Sequence, residues 1–154
     1  MELLVPWFRA PTERMAARVG ERALTQRELA VACAHHVQAL RARGVVPGDR
    51  VGVWTQPALE TIVALVAHAA AGYVSVPLDP KLGDRELAHV LGDAAPRLCV
   101  AADVAPVTGR VGAIDTMPAR VALEAGAAFE LAPLRGAPAL VLYTSGTTGA
   151  PKGA

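Results

Sequence analysis

The sequence predicts an α/β protein, with a mostly parallel sheet flanked by helices. Short segments dense in β-branched residues alternate with longer segments of helical period, which is the order of βαβ units. Hydrophobic residues make up 53% of the chain but aromatics only 4%, with 14 Gly and 12 Pro, so the core is built from alanine and valine and is cut by many loops. At 154 residues the chain is long enough for one domain with a sizeable core.

Residues 1–15 carry no period and lead in as a loop or a short helix. Residues 19–24, with Gly20-Glu21 between small apolar pieces, read as a hairpin. Thr25-Gln26-Arg27-Glu28 is a capping box: the threonine hydroxyl can bond the Glu28 N–H, and the glutamate can reach back to the N–H of Thr25. Leu24 and Leu29 stand at the staple positions around it. Leu29, Cys33, His36, Val37 and Leu40 recur at helical spacing as far as Arg43, and Gly44 is a natural stop.

Residues 45–49 form a turn and 51–54 a strand. Pro57 suits the first turn of the next helix, which runs to about Ala71. That helix is apolar nearly all round, which predicts burial on more than one side. A second strand covers 73–76 and ends at Pro77. A short helix covers 84–91, with Leu87, Val90 and Leu91 on one face and Gly92 as its stop. Residues 98–101 are a third strand. Over 103–138 the signal is poor: 111–114 read as a short strand, and the rest, rich in Ala, Pro and Gly, as a surface excursion.

The chemistry concentrates at residues 140–153, L-V-L-Y-T-S-G-T-T-G-A-P-K-G. An apolar run over 139–143 has the length and type of a buried strand. It breaks into a segment that no regular element would choose. Gly146 and Gly149 let a ligand approach the main chain closely. Thr144, Ser145, Thr147 and Thr148 each offer a hydroxyl that can donate and accept. Pro151 stiffens the chain and Lys152 adds a mobile positive charge. Backbone N–H groups, hydroxyls and one lysine together make a receptor for a polyphosphate. The string is not a Walker loop, which needs glycine before the lysine and a hydroxyl after it; here Pro151 precedes Lys152 and Gly153 follows. In parallel sheets ligands bind beyond the carboxyl ends of the strands, so the loop is expected there.

All of 143–153 resembles the phosphate-binding signature of the adenylate-forming superfamily, which includes acyl-CoA synthetases, luciferases and peptide-synthetase adenylation domains. The stretch 50–96 is similar to the N-terminal sheet region of acyl-CoA synthetases, and P-L-D-P-K-L-G-D-R-E-L-A-H-V-L within it most resembles malonyl-CoA and methylmalonyl-CoA synthetases. The likeness runs from about Val19 onward and is loose over 103–138.

The resemblance implies a partial N-terminal AMP-binding domain over 1–154, ending at the phosphate-binding loop 143–153, with the C-terminal domain absent. It implies an acid–thiol ligase that forms an acyl-adenylate from ATP and then a coenzyme A thioester, with a small malonate-like acid as substrate. Thr144, Ser145, Gly146, Thr147, Thr148, Gly149 and Lys152 would hold the β- and γ-phosphates. The ligands of Mg2+, the adenine contacts and the catalytic lysine are expected in a downstream segment. The piece alone is therefore expected to hold no catalytic residue and to be inactive by itself. The alternatives are a non-catalytic phosphate-binding module and a split-enzyme interaction fragment that pairs with the downstream segment.

Other features exclude function classes. A net charge of +1 gives no nucleic-acid surface and no anionic membrane partner. The N-terminus is no signal peptide, and the longest apolar segment is too short to span a bilayer, so a cytoplasmic protein is expected. Cys33 and Cys99 read as buried reduced thiols. His36 reads as a packed, hydrogen-bonded histidine and His35 as exposed, with no metal assigned to side chains. Asp79 and Asp84 take turn and helix-start roles. Trp54 reads as core, and Arg110, Arg120 and Arg135 as surface.

Overall fold

The computed structural model describes residues 6–128, 130–132, 138–144 and 152–154. A 3-10 helix at Pro6–Arg9 leads to a hairpin of β1 (Met15–Val19) and β2 (Arg22–Thr25), antiparallel across the Gly20-Glu21 turn. α1 (Gln26–Ala42) follows directly, and both halves of its capping box form. The Glu28 N–H donates to Thr25 Oγ1 at 3.2 Å and the Thr25 N–H to Glu28 Oε2 at 2.8 Å. Leu24 and Leu29 are both buried beside it.

Four strands make the central sheet: β3 (Arg50–Trp54), β4 (Val74–Leu78), β5 (Leu98–Ala101) and β6 (Thr116–Pro118). Their order is β4-β3-β5-β6 and every pair is parallel. α2 (Leu59–Ala71) carries the chain from β3 to β4, α3 (Asp84–Ala94) from β4 to β5, and the four-residue α4 (Ala105–Thr108) lies between β5 and β6.

Alternate residues of the strands feed two cores. Val51, Val53, Leu98 and Val100 pack with α1, α2 and the hairpin, while Trp54, Val76, Leu78, Cys99 and Ala101 pack with α3. Both sheet faces are thus covered, as parallel sheets require. No residue of α2 is exposed, which matches its apolar circumference. Gly52 allows the tight α3-side layer: a Cβ there would lie 2.5 Å from Cys99 Sγ.

Several boundaries differ from the sequence expectation. Pro57 precedes α2, because Ala58 is still extended (φ −138°, ψ 150°) and acts as the N-cap. Pro77 lies inside β4 instead of ending it. Ser75 directs its N–H to the sheet's outer side, so the nitrogen of Pro77, two residues on, faces the same edge and interrupts no bond to β3. α3 runs through Gly92 to Ala94, holding Leu91 and Ala94 in the core, and ends at Ala95 with φ 44°. Residues 111–114 are turns, and the strand comes later as β6. The excursion is only partly superficial, since Val107, Val111, Met117 and Ala119 are buried. His35 is half-buried instead of exposed, with Nε2 2.7 Å from the Glu124 carbonyl oxygen. Among the described residues no helix is long and apolar enough to cross a membrane.

Candidate polyphosphate site

The signature segment joins the sheet by one parallel bridge, Ser75 opposite Leu140. The Ser75 N–H donates to Ala139 O at 3.0 Å and the Val141 N–H to Ser75 O at 2.9 Å. The next rung needs an N–H on residue 77, and Pro77 has none. Past Val141 the chain pairs with its own continuation. β7 (Tyr143–Thr144) runs antiparallel to β8 (Lys152–Gly153), with Thr144 opposite Lys152. Leu142 and Ala154 exchange N–H···O bonds of 3.0 and 2.9 Å below them.

The hydroxyl of Thr144 and the ammonium of Lys152 thus belong to facing residues, both exposed, at the neck of the loop. Ser145, Gly146, Thr147, Thr148 and Gly149, expected to complete the site, lie outside the described residues, as does Arg135. The segment is not the fully buried strand expected: Leu140 and Leu142 are 42% and 48% exposed, while Val141 and Tyr143 pack on the α3-side core.

The side chain of Tyr143 ties β7 to α3. Its hydroxyl donates to Asp93 Oδ2 at 2.5 Å. α3 returns antiparallel to the strands, so Asp93, in its last turn, lies toward their amino ends. There Arg50, the first residue of β3, donates to the carbonyls of Asp93 and Ala94 at 3.5 and 2.9 Å. Tyr143 thereby ties β7 to the last turn of α3, while the segment enters parallel to β4. Residues 145–151, and with them the expected placement of the loop at the carboxyl ends of the strands, lie outside the described residues. Burial, then the hydrogen bond and charge of Asp93, push the Tyr143 hydroxyl up to about 12 against the opposing charge of Arg50, so it remains a donor at neutral pH. Gly153 fits close to the ring, where a Cβ would lie 3.0 Å from Tyr143 Cζ.

At the carboxyl ends of the strands the loops after β3 and β5 meet, and Gln56 Oε1 accepts the Asp103 N–H at 3.2 Å. Arg110 is not the surface residue expected. Its guanidinium lies 5.3 Å from the centroid of the buried Trp54 ring and donates to the carbonyls of Pro80 and Leu82 and to Asp84. Sequence reasoning had no signal for this, because the partners lie 26 to 30 residues apart. Asp79 accepts from the Lys81 N–H and Glu86 from the Gly83 N–H, which are turn and helix-start roles. Among the described residues no three His, Cys, Asp or Glu side chains gather to hold a metal ion. Cys33 and Cys99 are buried and free, and burial pushes both thiols up, Cys99 to about 12, away from nucleophilic chemistry.

Known proteins place this arrangement. A solved malonyl-CoA ligase, in a ternary product complex with methylmalonyl-CoA and AMP, is 47% identical, with a TM-score of 0.81 over 94% of this chain and 30% of its own. The O-succinylbenzoate coenzyme A synthetase of Bacillus subtilis, solved with AMP, is 27% identical, with a TM-score of 0.83 over 97% of this chain and 40% of its own. Among curated proteins, a linear gramicidin synthase of Brevibacillus parabrevis is 36% identical over 149 residues, covering 92% of this chain and 3% of that protein. The chain thus spans well under half the length of these relatives. Its parallel sheet and flanking helices match the N-terminal domain of adenylate-forming enzymes. The sequence model of AMP-binding enzymes matches residues 7–154, and the chain belongs to that family.

Proposed function

We propose that this chain is the N-terminal part of an ATP-dependent acid–CoA ligase acting on a small malonate-like acid, and that its 143–153 hairpin holds the β- and γ-phosphates of ATP. The observation that carries the loop assignment is the facing of Thr144 and Lys152, which brings together the two residues that flank the hydroxyl- and glycine-rich sequence. The 47% identity to a malonyl-CoA ligase favours the acid.

In the first step a carboxylate oxygen of the acid attacks the α-phosphorus. The bond from that phosphorus to the bridging oxygen breaks, and its electron pair leaves with pyrophosphate. Lys152 and the hydroxyls of Thr144, Ser145, Thr147 and Thr148 would meet the charge that builds on the leaving group, with the backbone N–H groups at Gly146 and Gly149 brought close. The thiol of coenzyme A then displaces AMP and forms the thioester. The magnesium that accompanies ATP in such chemistry finds no ligand set among the described residues, and the roles assigned to this chain act on phosphate oxygens directly. The piece without its downstream segment is expected to form no thioester.

A second reading is an amino-acid-activating domain of a peptide synthetase, favoured by relatives such as the linear gramicidin synthase and a surfactin synthase of Bacillus subtilis. Mass spectrometry of products from the full protein, given ATP, coenzyme A and either malonate or a mixture of amino acids, separates the two. Malonyl-CoA and AMP are the expected products. Amino-acid adenylates with no coenzyme A thioester would replace the ligase reading with the second one.

A further inference from the structure

At the β6 edge, across the sheet from the signature segment, a cavity of about 320 Å3 is lined by His35, His36, Ala39, Arg43, Met117, Pro118, Arg120 and Ala122. Its size lies at the low end of the roughly 300–1,000 Å3 of small-molecule sites. Much of the wall is apolar, but one polar group in it is unusual. His36 is only 3% exposed, and its Nε2 lies 3.1 Å from Nε2 of the wholly buried His68. His68 Nδ1 in turn lies 2.9 Å from Ser75 Oγ. The remaining ring nitrogen, His36 Nδ1, has no partner among the described residues and is not one of the sealed, unpaired polar atoms.

Such a chain is costly in a core unless each member is satisfied. Of two neutral imidazoles joined Nε2 to Nε2, one must donate and the other accept. If Ser75 donates to His68 Nδ1, then His68 Nε2–H donates to His36 Nε2, and His36 Nδ1–H is left as a donor on the cavity side. Two arginines, Arg43 and Arg120, line the same cavity. Arg43 is held by Asp115 at 2.9 Å and by the Thr116 carbonyl. Arg120 is exposed and has no partner among the described residues. A free guanidinium and a buried N–H around an apolar chamber are complementary to a carboxylate on a compact hydrocarbon body.

We propose that this cavity is a binding site for a small aliphatic monocarboxylic acid, its carboxylate bonded by Arg120 and by His36 Nδ1–H and its apolar body against Ala39, Met117, Pro118 and Ala122. Occupancy then fixes the tautomers of both buried histidines, which gives the test a readout of its own.

The test is titration of the 15N-labelled full chain with isovalerate, read by long-range 1H–15N spectra of the histidine rings, with 3-methylbutanol as the uncharged control. The expected result is saturable movement of the His36 Nδ1 signal toward the protonated-nitrogen position by isovalerate and not by the alcohol. Arg120→Ala, at an exposed position that spares folding, should weaken binding about five-fold, the typical value of one exposed charged contact. Three results would each overturn the proposal: no change at His36 at saturating acid, an equal response to the alcohol, or unchanged affinity in Arg120→Ala.

Discussion

β4 and the segment after residue 138 are neighbours in the sheet, yet they are held by different means. In β4, Val74, Ser75 and Val76 are buried, and the strand is paired with β3 along five residues. The signature segment has one bridge to that strand, exposed Leu140 and Leu142, a two-residue ladder to β8 and the bond from Tyr143 to Asp93. A ladder covered on both faces resists opening, whereas a hairpin on few rungs opens at low cost. The polyphosphate role proposed for the loop calls for the second kind.

The contrast is broken most forcefully by deleting core volume. Leu78→Ala removes a fully buried side chain from the α3-side core and should cost about 2–5 kcal/mol in denaturant unfolding. Leu142→Ala should change stability by no more than about 0.5 kcal/mol. Equal losses would abolish the distinction between the two regions.

Acid comes next. Burial lowers His36 from 6.5 to about 4, and burial with the help of His36's charge holds His68 well below its ordinary value. Well above pH 7 both rings are neutral whether folded or not, and they add no pH dependence. As the pH falls below 6.5 the unfolded chain binds protons that the folded chain refuses, so stability is lost down to the folded values. For His36 the full extent is on the order of 3 kcal/mol. Unfolding midpoints at pH 7 and pH 4.5 should show the loss, and His36→Gln should reduce it. An identical pH profile in the variant would refute the assignment.

Thr25→Ala opens the capping box at the start of α1 and should cost about 1 kcal/mol. A small global effect is also expected from Tyr143→Phe, under about 1 kcal/mol, because it frees only the hairpin. Hydrogen exchange should nevertheless show faster exchange at the Leu142 and Ala154 amides, with the β3 and β5 amides unchanged. Faster exchange across the whole sheet, or no change at Leu142, would show that Tyr143 does not act as a local anchor of the hairpin.

The core was legible because its signals are local. The capping box at Thr25–Glu28, the helix face of Leu29, Cys33 and Val37, and the apolar strands at 51–54 and 98–101 each depend on neighbours within a few residues. Proline and glycine misled where tertiary context chose among their roles. Pro77 stays within β4 because its nitrogen faces the edge, and Gly92 stays helical because Leu91 and Ala94 are wanted in the core. At the signature segment the anchor of Tyr143 was not legible, because Asp93 lies 50 residues away in sequence. The His36–His68 pair, 32 residues apart, was likewise beyond any local pattern.

The central claim is that the 143–153 hairpin handles the polyphosphate of ATP. Malonate-dependent exchange of labelled pyrophosphate into ATP, measured on the full protein and on its Lys152→Ala and Thr147→Ala variants, tests it most directly. Exchange that requires the acid and falls about 10²–10³-fold in each variant, with unfolding midpoints unchanged, is the predicted result. Exchange that proceeds undiminished in both variants would contradict the account.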